Sequence, residues 1–181
     1  MKWGRIIIIT GSPGTGKSTA AEKVSLDSDM EKSVCLRTDD FYHYLKKGYI
    51  PPHLPASNDQ NGIVIESFLE AAKRFVRGGY DVYVDGIVGP WFIRPWLKAF
   101  REGYKVNYIV LRAFREETLK RAVGRAKLDE KTSAELVEVM WKQFADLGQY
   151  ESYVIDTTNL IPDETAESIK AHLRSGQNRL K

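Results

Sequence analysis

Cysteine is almost absent from this sequence, because Cys35 is the only one among 181 residues. A single cysteine excludes an intrachain disulfide framework and a cysteine-rich metal site. Disulfides belong mainly to proteins of oxidising compartments, so their absence here predicts a reducing, cytoplasmic setting.

Long hydrophobic runs are also missing. Lys2 and Arg5 precede an apolar run from Ile6 to Ile9, but this run is far too short for the hydrophobic region of a secretory signal. No other segment approaches the roughly 20 apolar residues of a membrane-spanning helix. The sequence therefore predicts no contact with a membrane.

A strong excess of one charge is missing as well. The sequence has 27 lysines and arginines against 24 aspartates and glutamates, a formal net charge of +3. This mild charge gives little support to nucleic acid as a partner, although it does not exclude one. The length fits one domain over residues 1–181, and we expect a monomer or a homodimer.

The sequence does contain an abrupt change of character between Ile6 and Thr19, "IIIITGSPGTGKST". The unbroken apolar part is typical of a central parallel strand, which is covered on both faces and need not alternate. A glycine-rich turn follows, and the residues from Lys17 onward predict the first turn of a helix. The stretch fits the phosphate-loop pattern G-x-x-x-x-G-K-[ST].

Such a loop points several backbone N–H groups at one place, next to a helix N-terminus, and therefore favours a triphosphate chain. We expect it to bind ATP, with Lys17 at the β- and γ-phosphates and Ser18 on Mg²⁺. An ordinary strand-to-helix turn is the alternative, but the strand before the motif and the helix after it favour the phosphate loop. The predicted nucleotide-binding residues are Gly11, Ser12, Gly14, Thr15, Gly16, Lys17, Ser18 and Thr19.

Strand and helix patterns alternate along the rest of the chain. Further strands are predicted at 33–38, 80–85, 105–112 and 151–157, and helices at 63–77, at 133–147 and from Pro162. This alternation predicts an α/β fold, specifically a three-layer α/β/α phosphate-loop NTPase fold. Its five-stranded parallel sheet should have the order 2-3-1-4-5, with the nucleotide at the carboxyl ends of the strands.

Two segments break this rhythm. Residues 46–62 contain three prolines and a polar cluster, which predicts a long ordered loop that contributes to substrate binding or acts as a lid. The last seven residues, "SGQNRLK", are expected to form a frayed tail.

Other residues narrow the class of nucleotide-binding protein. The guanine-reading Asn-Lys-x-Asp of GTPases does not occur. ATPases of the AAA+ or transporter kind normally place two acidic residues after a strand, whereas Asp85 is followed by Gly86. Among the nucleotide-binding classes considered, these observations leave the small phosphotransferases.

The second strand leads into "CLRTDDFYHYL", with two adjacent carboxylates. In the predicted sheet its end opens toward the γ-phosphate, where a carboxylate can accept the proton of an attacking hydroxyl. The alternative is that these aspartates only cap a helix beginning near Phe41. We favour Asp39 as the base, with Asp40 as the cap or as a residue supporting it.

The stretches "GSPGTGKST", "RTDDFY" and "VYVDGIVG" resemble the phosphate-loop kinases of small metabolites. That family includes gluconate kinase, adenylylsulfate kinase and the chloramphenicol phosphotransferases. The sequence is most similar to the bacterial branch labelled gluconate-kinase-like or ATP-binding. The resemblance implies ATP, Mg²⁺ and a small-molecule hydroxyl acceptor, with Asp39 as the base and Asp85 helping to place the metal.

This family also carries lid arginines on the helix after the fourth strand. The matching residues are Arg121 and Arg125, within a lid-like region at 115–131. Four residues apart, they share one helix face, and the resemblance implies that they contact the transferring phosphoryl group or the adenine. A solvated basic face is the alternative.

For the acceptor we predict contacts with Tyr42, Trp91 and Arg94. Aromatic rings with amides nearby suit a sugar, a nucleoside or an antibiotic, and Arg94 can hold a carboxylate or a phosphate. Two other functions stay open. Polynucleotide 5′-hydroxyl kinases share a similar Arg-x-Asp-Asp-aromatic stretch, and a switch protein would bind ATP without any acceptor.

Overall fold

The computed structural model describes residues 2–123 and 130–181. Its sheet consists of five parallel strands, β1 (Arg5–Thr10), β2 (Ser33–Arg37), β3 (Asp81–Asp85), β4 (Lys105–Arg112) and β5 (Val154–Asp156). The strand order is β2-β3-β1-β4-β5, which confirms the predicted order 2-3-1-4-5. The helices are α1 (Lys17–Leu26), α2 (Thr38–His43), α3 (Asn58–Arg77), α4 (Arg94–Arg101), α5 (Arg115–Val123), α6 (Glu130–Ala145) and α7 (Pro162–Ser175).

Strand β1 lies at the centre of the sheet, hydrogen-bonded to β3 on one side and to β4 on the other. Ile6 and Ile8 face one core cluster, whereas Ile7 and Ile9 face the other. All four side chains are fully buried. The unbroken apolar run therefore follows from helices covering both faces of the sheet.

The two helical layers contribute different residues to these cores. Phe68 of α3 and Trp96 of α4 pack on the first face, and Val24 of α1 and Ile169 of α7 pack on the second. This arrangement confirms the three-layer α/β/α fold. Among the described residues, no helix combines the length and the apolar character needed to cross a bilayer.

The predicted loop at 46–62 is shorter than expected, because α3 begins at Asn58 rather than at 63. Pro55 starts a short 3-10 helix over Pro55–Ser57 that leads directly into α3. Its fixed backbone angle suits the first position of a helical turn. The polar residues that suggested a loop therefore form the first turns of a helix. Asn61 among them is buried.

The prediction of a frayed C-terminal tail is wrong. Asn178 and Leu180 are buried, and the Leu180 N–H donates to the Val106 carbonyl at 2.9 Å. Strand β5 pairs only with Val110–Arg112 of β4, which leaves the first half of β4 without a strand neighbour on the side away from β1. The tail pairs with that exposed strand edge and satisfies its backbone groups.

Candidate active site

The phosphate loop, Gly11–Ser18, leaves the carboxyl end of β1 and leads into α1. Gly11, Gly14 and Gly16 all have positive φ, at 144°, 87° and 89°. A Cβ atom on Gly11 would lie 2.1 Å from the Leu111 carbonyl oxygen, and one on Gly14 would lie 2.4 Å from that of Thr118. Glycine is therefore required both for the backbone turn and for the close approach of β4 and α5.

Hydrogen bonds within the loop hold this shape. The Thr15 hydroxyl donates to the Ser12 carbonyl at 2.9 Å, and the Lys17 ammonium donates to the same oxygen at 3.1 Å. Ser18 is exposed in the first turn of α1. The loop thus presents an ammonium group, a hydroxyl and a helix N-terminus together, as a triphosphate requires.

Asp39 and Asp40 lie inside the first turn of α2, because this helix begins at Thr38, earlier than the sequence suggested. The N-cap position is Arg37. The prediction that Asp40 caps the helix is therefore wrong. Carboxylates in a first turn still interact favourably with the helix dipole, so Asp40 retains a minor stabilising effect there.

Asp39 faces a large cavity, and its surroundings alter its acidity. Protein atoms around Asp39 displace part of the bulk water, and this desolvation raises the pKa of its carboxyl above the ordinary value. The side chain nevertheless stays exposed toward the cavity. The Lys17 ammonium lowers this pKa, and the Asp85 charge raises it. The net result is a carboxylate with increased affinity for a proton, which a general base needs.

Asp85 ends β3 and is almost fully buried. Its Oδ2 lies 3.9 Å from Nε of Arg37. The next residue must be glycine, because a Cβ atom on Gly86 would lie 2.1 Å from Oγ1 of Thr38. A second acidic side chain cannot follow Asp85 without moving α2. Tertiary packing thus excludes the acidic pair that activates water in AAA+ ATPases.

Ser18 and Asp85 offer oxygen donors that suit Mg²⁺. In the described ranges no three His, Cys, Asp or Glu side chains converge as a metal cluster. Magnesium is usually held by one or two carboxylates together with substrate phosphates and water. A single buried carboxylate and a hydroxyl beside a phosphate loop therefore fit this ion, which would neutralise phosphate charge there.

The cavity beside Asp39 has a volume of about 530 Å³, and we call it the α3–α6 cavity. One part of its lining comes from α2, the following loop and α3, and includes Tyr42, Pro52, His53, Leu54, Asn58 and Asn61. Another part comes from the segment after β3 and from α6, and includes Ile87, Trp91, Phe92, Leu136, Val139 and Met140.

The three predicted acceptor contacts differ in their positions. Tyr42 and Trp91 both line the cavity. Arg94 is exposed at the first residue of α4, and the described lining does not include it. The geometry thus brings two of the three residues together beside Asp39, while a role for Arg94 stays a prediction.

A hydrogen-bond network fixes the loop between α2 and α3. The Tyr42 hydroxyl donates to Oδ1 of Asn61 at 3.0 Å, and Nδ2 of Asn61 donates to the Pro52 carbonyl at 2.8 Å. The Gln60 amide both donates to the Ile50 carbonyl and accepts from its N–H. These bonds give a proline-rich loop a defined shape, although it has no regular secondary structure over most of its length.

The segment after β3 is fixed in a similar way. The Val88 N–H donates to the Thr10 hydroxyl at 2.8 Å, and the Tyr108 hydroxyl donates to the Val88 carbonyl at 2.7 Å. A Cβ atom on Gly89 would lie 2.3 Å from the Trp91 ring. The glycine therefore lets the indole fold back over its own backbone and reach the cavity.

Sequence reasoning missed the contribution of α6. Leu136, Val139, Met140 and Gln143 repeat at helical spacing, which predicted a helix but not what its face contacts. All four line the cavity, and Val139 is 54% exposed. An apolar face against a cavity and one against a core have the same sequence period, so no signal in one sequence separates them.

Arg121 joins α5 to the turn after β5. Its guanidinium donates to the carbonyls of Thr157 and Thr158 at 3.2 and 2.9 Å and to Glu117 at 2.7 Å. The predicted contact with a phosphoryl group or adenine stays a prediction. Arg125, its predicted partner, and part of the lid-like region lie outside the described residues.

Comparison with known proteins agrees with this geometry. A family model described as an AAA domain matches residues 7–141. A protein of Thermococcus kodakarensis named "Putative adenylate kinase" is 31% identical over 179 residues, which cover 96% of this chain and 88% of that protein. The residues that the family model matches include the phosphate loop, Asp39, Asp85 and most of α6.

Solved structures share the fold. The Mycobacterium tuberculosis APS kinase, in complex with AMPPNP and APS, superposes with a TM-score of 0.71 at 16% identity, over 96% of this chain and 99% of that one. A sugar kinase from Janibacter sp. HTCC2649 gives a TM-score of 0.68 at 19% identity, over 94% and 95% of the two chains. The chain belongs to the AAA-domain family of phosphate-loop proteins, among relatives of kinase type.

Proposed function

We propose that this protein is an ATP- and Mg²⁺-dependent phosphotransferase that moves the γ-phosphate of ATP to a hydroxyl group of a small molecule. The position of Asp39 carries the proposal. Its side chain lines the α3–α6 cavity, and the ammonium of Lys17 acts on it electrostatically. A carboxylate at this boundary between phosphate loop and cavity can serve a hydroxyl bound on the cavity side.

In the proposed reaction the acceptor hydroxyl lies in the α3–α6 cavity and gives its proton to Asp39 as its oxygen attacks the γ-phosphorus in line. The bond between that phosphorus and the bridging oxygen breaks, and ADP leaves. Lys17 and the N–H groups of the phosphate loop stabilise the negative charge on the phosphates. Mg²⁺ at Ser18 and Asp85 would supply further charge neutralisation.

An adenylate-kinase reaction is the second candidate, because the Thermococcus kodakarensis relative carries that name. Its acceptor, AMP, brings a phosphate that needs cationic partners. The described lining of the α3–α6 cavity contains Asp39 but no lysine or arginine. This lining favours an alcohol over a phosphate as the acceptor.

The decisive experiment incubates the protein with Mg²⁺ and ATP labelled at the γ-phosphate. The acceptors are a panel of hydroxyl-bearing metabolites, AMP, and an oligonucleotide with a 5′-hydroxyl. We expect label on one class of small alcohol, with the product identified by mass spectrometry. ATP affinity, measured by calorimetry, should be retained in an Asp39→Asn variant that no longer transfers.

Other outcomes would replace the proposal with a specific rival. Labelled ADP formed from AMP would establish the adenylate-kinase reaction, and a labelled oligonucleotide would establish a polynucleotide kinase. Tight ATP binding without transfer to any acceptor would indicate a nucleotide-binding switch.

A further inference from the structure

The lining of the α3–α6 cavity has a chemical character that restricts the acceptor. Leu136, Val139 and Met140 from α6 line it together with Ile65, Ile87 and Trp91. A volume of about 530 Å³ lies in the normal range for small-molecule pockets. The space is large enough for a ring system, and its lining is mostly apolar.

The described lining of this space has no permanently cationic side chain. Asp39 is its only carboxylate, His53 is its only histidine, and it contains no lysine or arginine. Lys17 and Arg37 lie on the phosphate side of the cavity, where Lys17 donates to the Ser12 carbonyl at 3.1 Å and Nε of Arg37 lies 3.9 Å from Asp85. In the proposed reaction the charge of Lys17 serves the ATP phosphates. An anionic acceptor would therefore meet Asp39 and the ATP phosphates without a lysine or arginine from the described lining to compensate its charge.

The polar groups of the cavity suit neutral partners. The Tyr42 hydroxyl donates a hydrogen bond to Asn61, and the Asn61 amide donates one to the Pro52 carbonyl. The exposed amides of Asn58 and Gln143 line the cavity as well. Side-chain amides both donate and accept hydrogen bonds without carrying a charge, which matches hydroxyl or carbonyl groups on an uncharged molecule.

We propose that the acceptor is an uncharged, hydroxyl-bearing compound whose aromatic or aliphatic body fills the apolar part of the α3–α6 cavity. This inference rests on the proposed function and names the substrate class of the same site. Discrimination is expected to come from the lack of lysine and arginine in the described lining, which penalises an anion, and from the apolar side chains, which favour a ring over a bare polyol.

The test uses pairs of probes that differ in charge. These are phenyl β-glucoside against phenyl β-glucuronide, and adenosine against AMP, with methyl β-glucoside as the probe that lacks the ring. Calorimetry on the protein saturated with Mg²⁺ and a non-hydrolysable ATP analogue gives each dissociation constant. We expect the neutral aryl glycoside to bind at least tenfold more tightly than its glucuronide and than the methyl glucoside. Tighter binding of either anion, or no binding of any neutral probe below 10 mM, overturns the inference.

A variant that introduces a positive charge into the cavity tests the same preference for neutral ligands. Val139→Lys places an ammonium on the cavity lining, so the glucuronide should gain about tenfold in affinity and the preference for the neutral glycoside should disappear. Ile63→Lys is the control, because Ile63 is 66% exposed on α3 and lies outside the described lining. An unchanged preference in Val139→Lys, or an equal gain in Ile63→Lys, would also count against the inference.

Transfer assays with the same probes separate this inference from the proposed function. If the neutral glycoside binds preferentially but no probe or metabolite is phosphorylated, the inferred ligand class is supported and the proposed transfer reaction is refuted. If a hydroxyl of the glucuronide is phosphorylated faster than that of the glucoside, the transfer reaction stands and the substrate class is overturned.

Discussion

The phosphate loop and the α3–α6 cavity meet at Asp39, but the chain builds them in different ways. Gly11–Ser18 is one continuous stretch whose shape comes from its own glycines and internal hydrogen bonds. The cavity is assembled from α2, the loop after it, α3, the segment after β3 and α6. One region depends on local sequence, and the other depends on how distant segments pack.

This difference bears on how each region can vary. A local loop binds a phosphate chain with backbone groups, and any sequence that adopts the same backbone conformation supplies these groups. The cavity recognises its ligand with side chains, which can be exchanged one at a time while the sheet stays intact. We therefore expect nucleotide binding and acceptor choice to respond separately to mutation, and four predictions examine this separation.

The largest effect is expected at Lys17. Lys17→Ala removes the ammonium that would neutralise the β- and γ-phosphates, so kcat/KM for transfer should fall by about 10³-fold or more. ATP should also bind more weakly, as calorimetry would show. Acceptor binding in the cavity should change little, because Lys17 does not line it. Unchanged turnover would refute the assignment of the phosphate loop.

Asp39 lies between the two regions and should affect the reaction alone. Asp39→Asn keeps the shape of the side chain but removes the proton acceptor, so kcat should fall by about 10²-fold or more while ATP affinity persists. Asp40→Asn is the matched control on the same helical turn and should retain most activity. The opposite ranking of the two variants would transfer the role of base to Asp40.

A smaller, structural effect is expected at Gly86, where the segment after β3 packs against the first residue of α2. In Gly86→Ala the new methyl group would meet Thr38 at 2.1 Å, and overpacking of this kind costs about 1–3 kcal/mol of stability. The Tm should fall by several degrees, and transfer should weaken because Thr38 precedes Asp39.

Gly62→Ala is the control for this change. Gly62 lies within α3, and a Cβ atom there would contact nothing within 4 Å. Alanine is more favourable than glycine inside a helix by about 1 kcal/mol, so the Tm should stay unchanged or rise. A Gly86→Ala variant with the Tm and turnover of the wild type would show that α2 can move away from β3.

The smallest effect concerns pH. Asp39 must be deprotonated to accept a proton, and burial raises its pKa. The rate of transfer should therefore fall on acidification at a higher pH than an ordinary aspartate would give. The Asp40 charge contributes to this raised pKa, so in Asp40→Asn the acid limb of kcat/KM should shift to lower pH. A limb that does not move, or moves upward, would show that another group controls it.

Much of the nucleotide side could be predicted from the sequence, because its rules are local. The run Ile6–Ile9 predicted a central strand, the glycines predicted the turn, and alternating elements predicted a parallel sheet. The strand order 2-3-1-4-5, predicted with the phosphate-loop fold, is the one that the structure has. The acidic stretch after β2 was located correctly, but the start of its helix was not. Helix starts depend on one or two residues and are weakly determined without tertiary contacts.

The acceptor side was predicted only in part, because its residues are distant in sequence. Tyr42 and Trp91 were predicted as acceptor contacts because they are aromatic and follow closely after the ends of strands in the sequence. Val139 and the rest of the α6 face were predicted only as part of a helix, since apolar periodicity does not reveal what the face contacts. The need for glycine at position 86 could not be inferred either, because it arises from Thr38, 48 positions earlier in the chain.

By itself, the sequence determined a parallel sheet with a phosphate loop and a carboxylate at the edge of that loop, because strand burial and turn geometry depend on neighbouring residues. Only the tertiary structure decided that the C-terminal tail completes the edge of β4, that Arg121 binds the turn after β5, and that α6 lines a cavity. Each of these depends on contacts between residues far apart in the chain, and a local pattern carries no information about its distant partner.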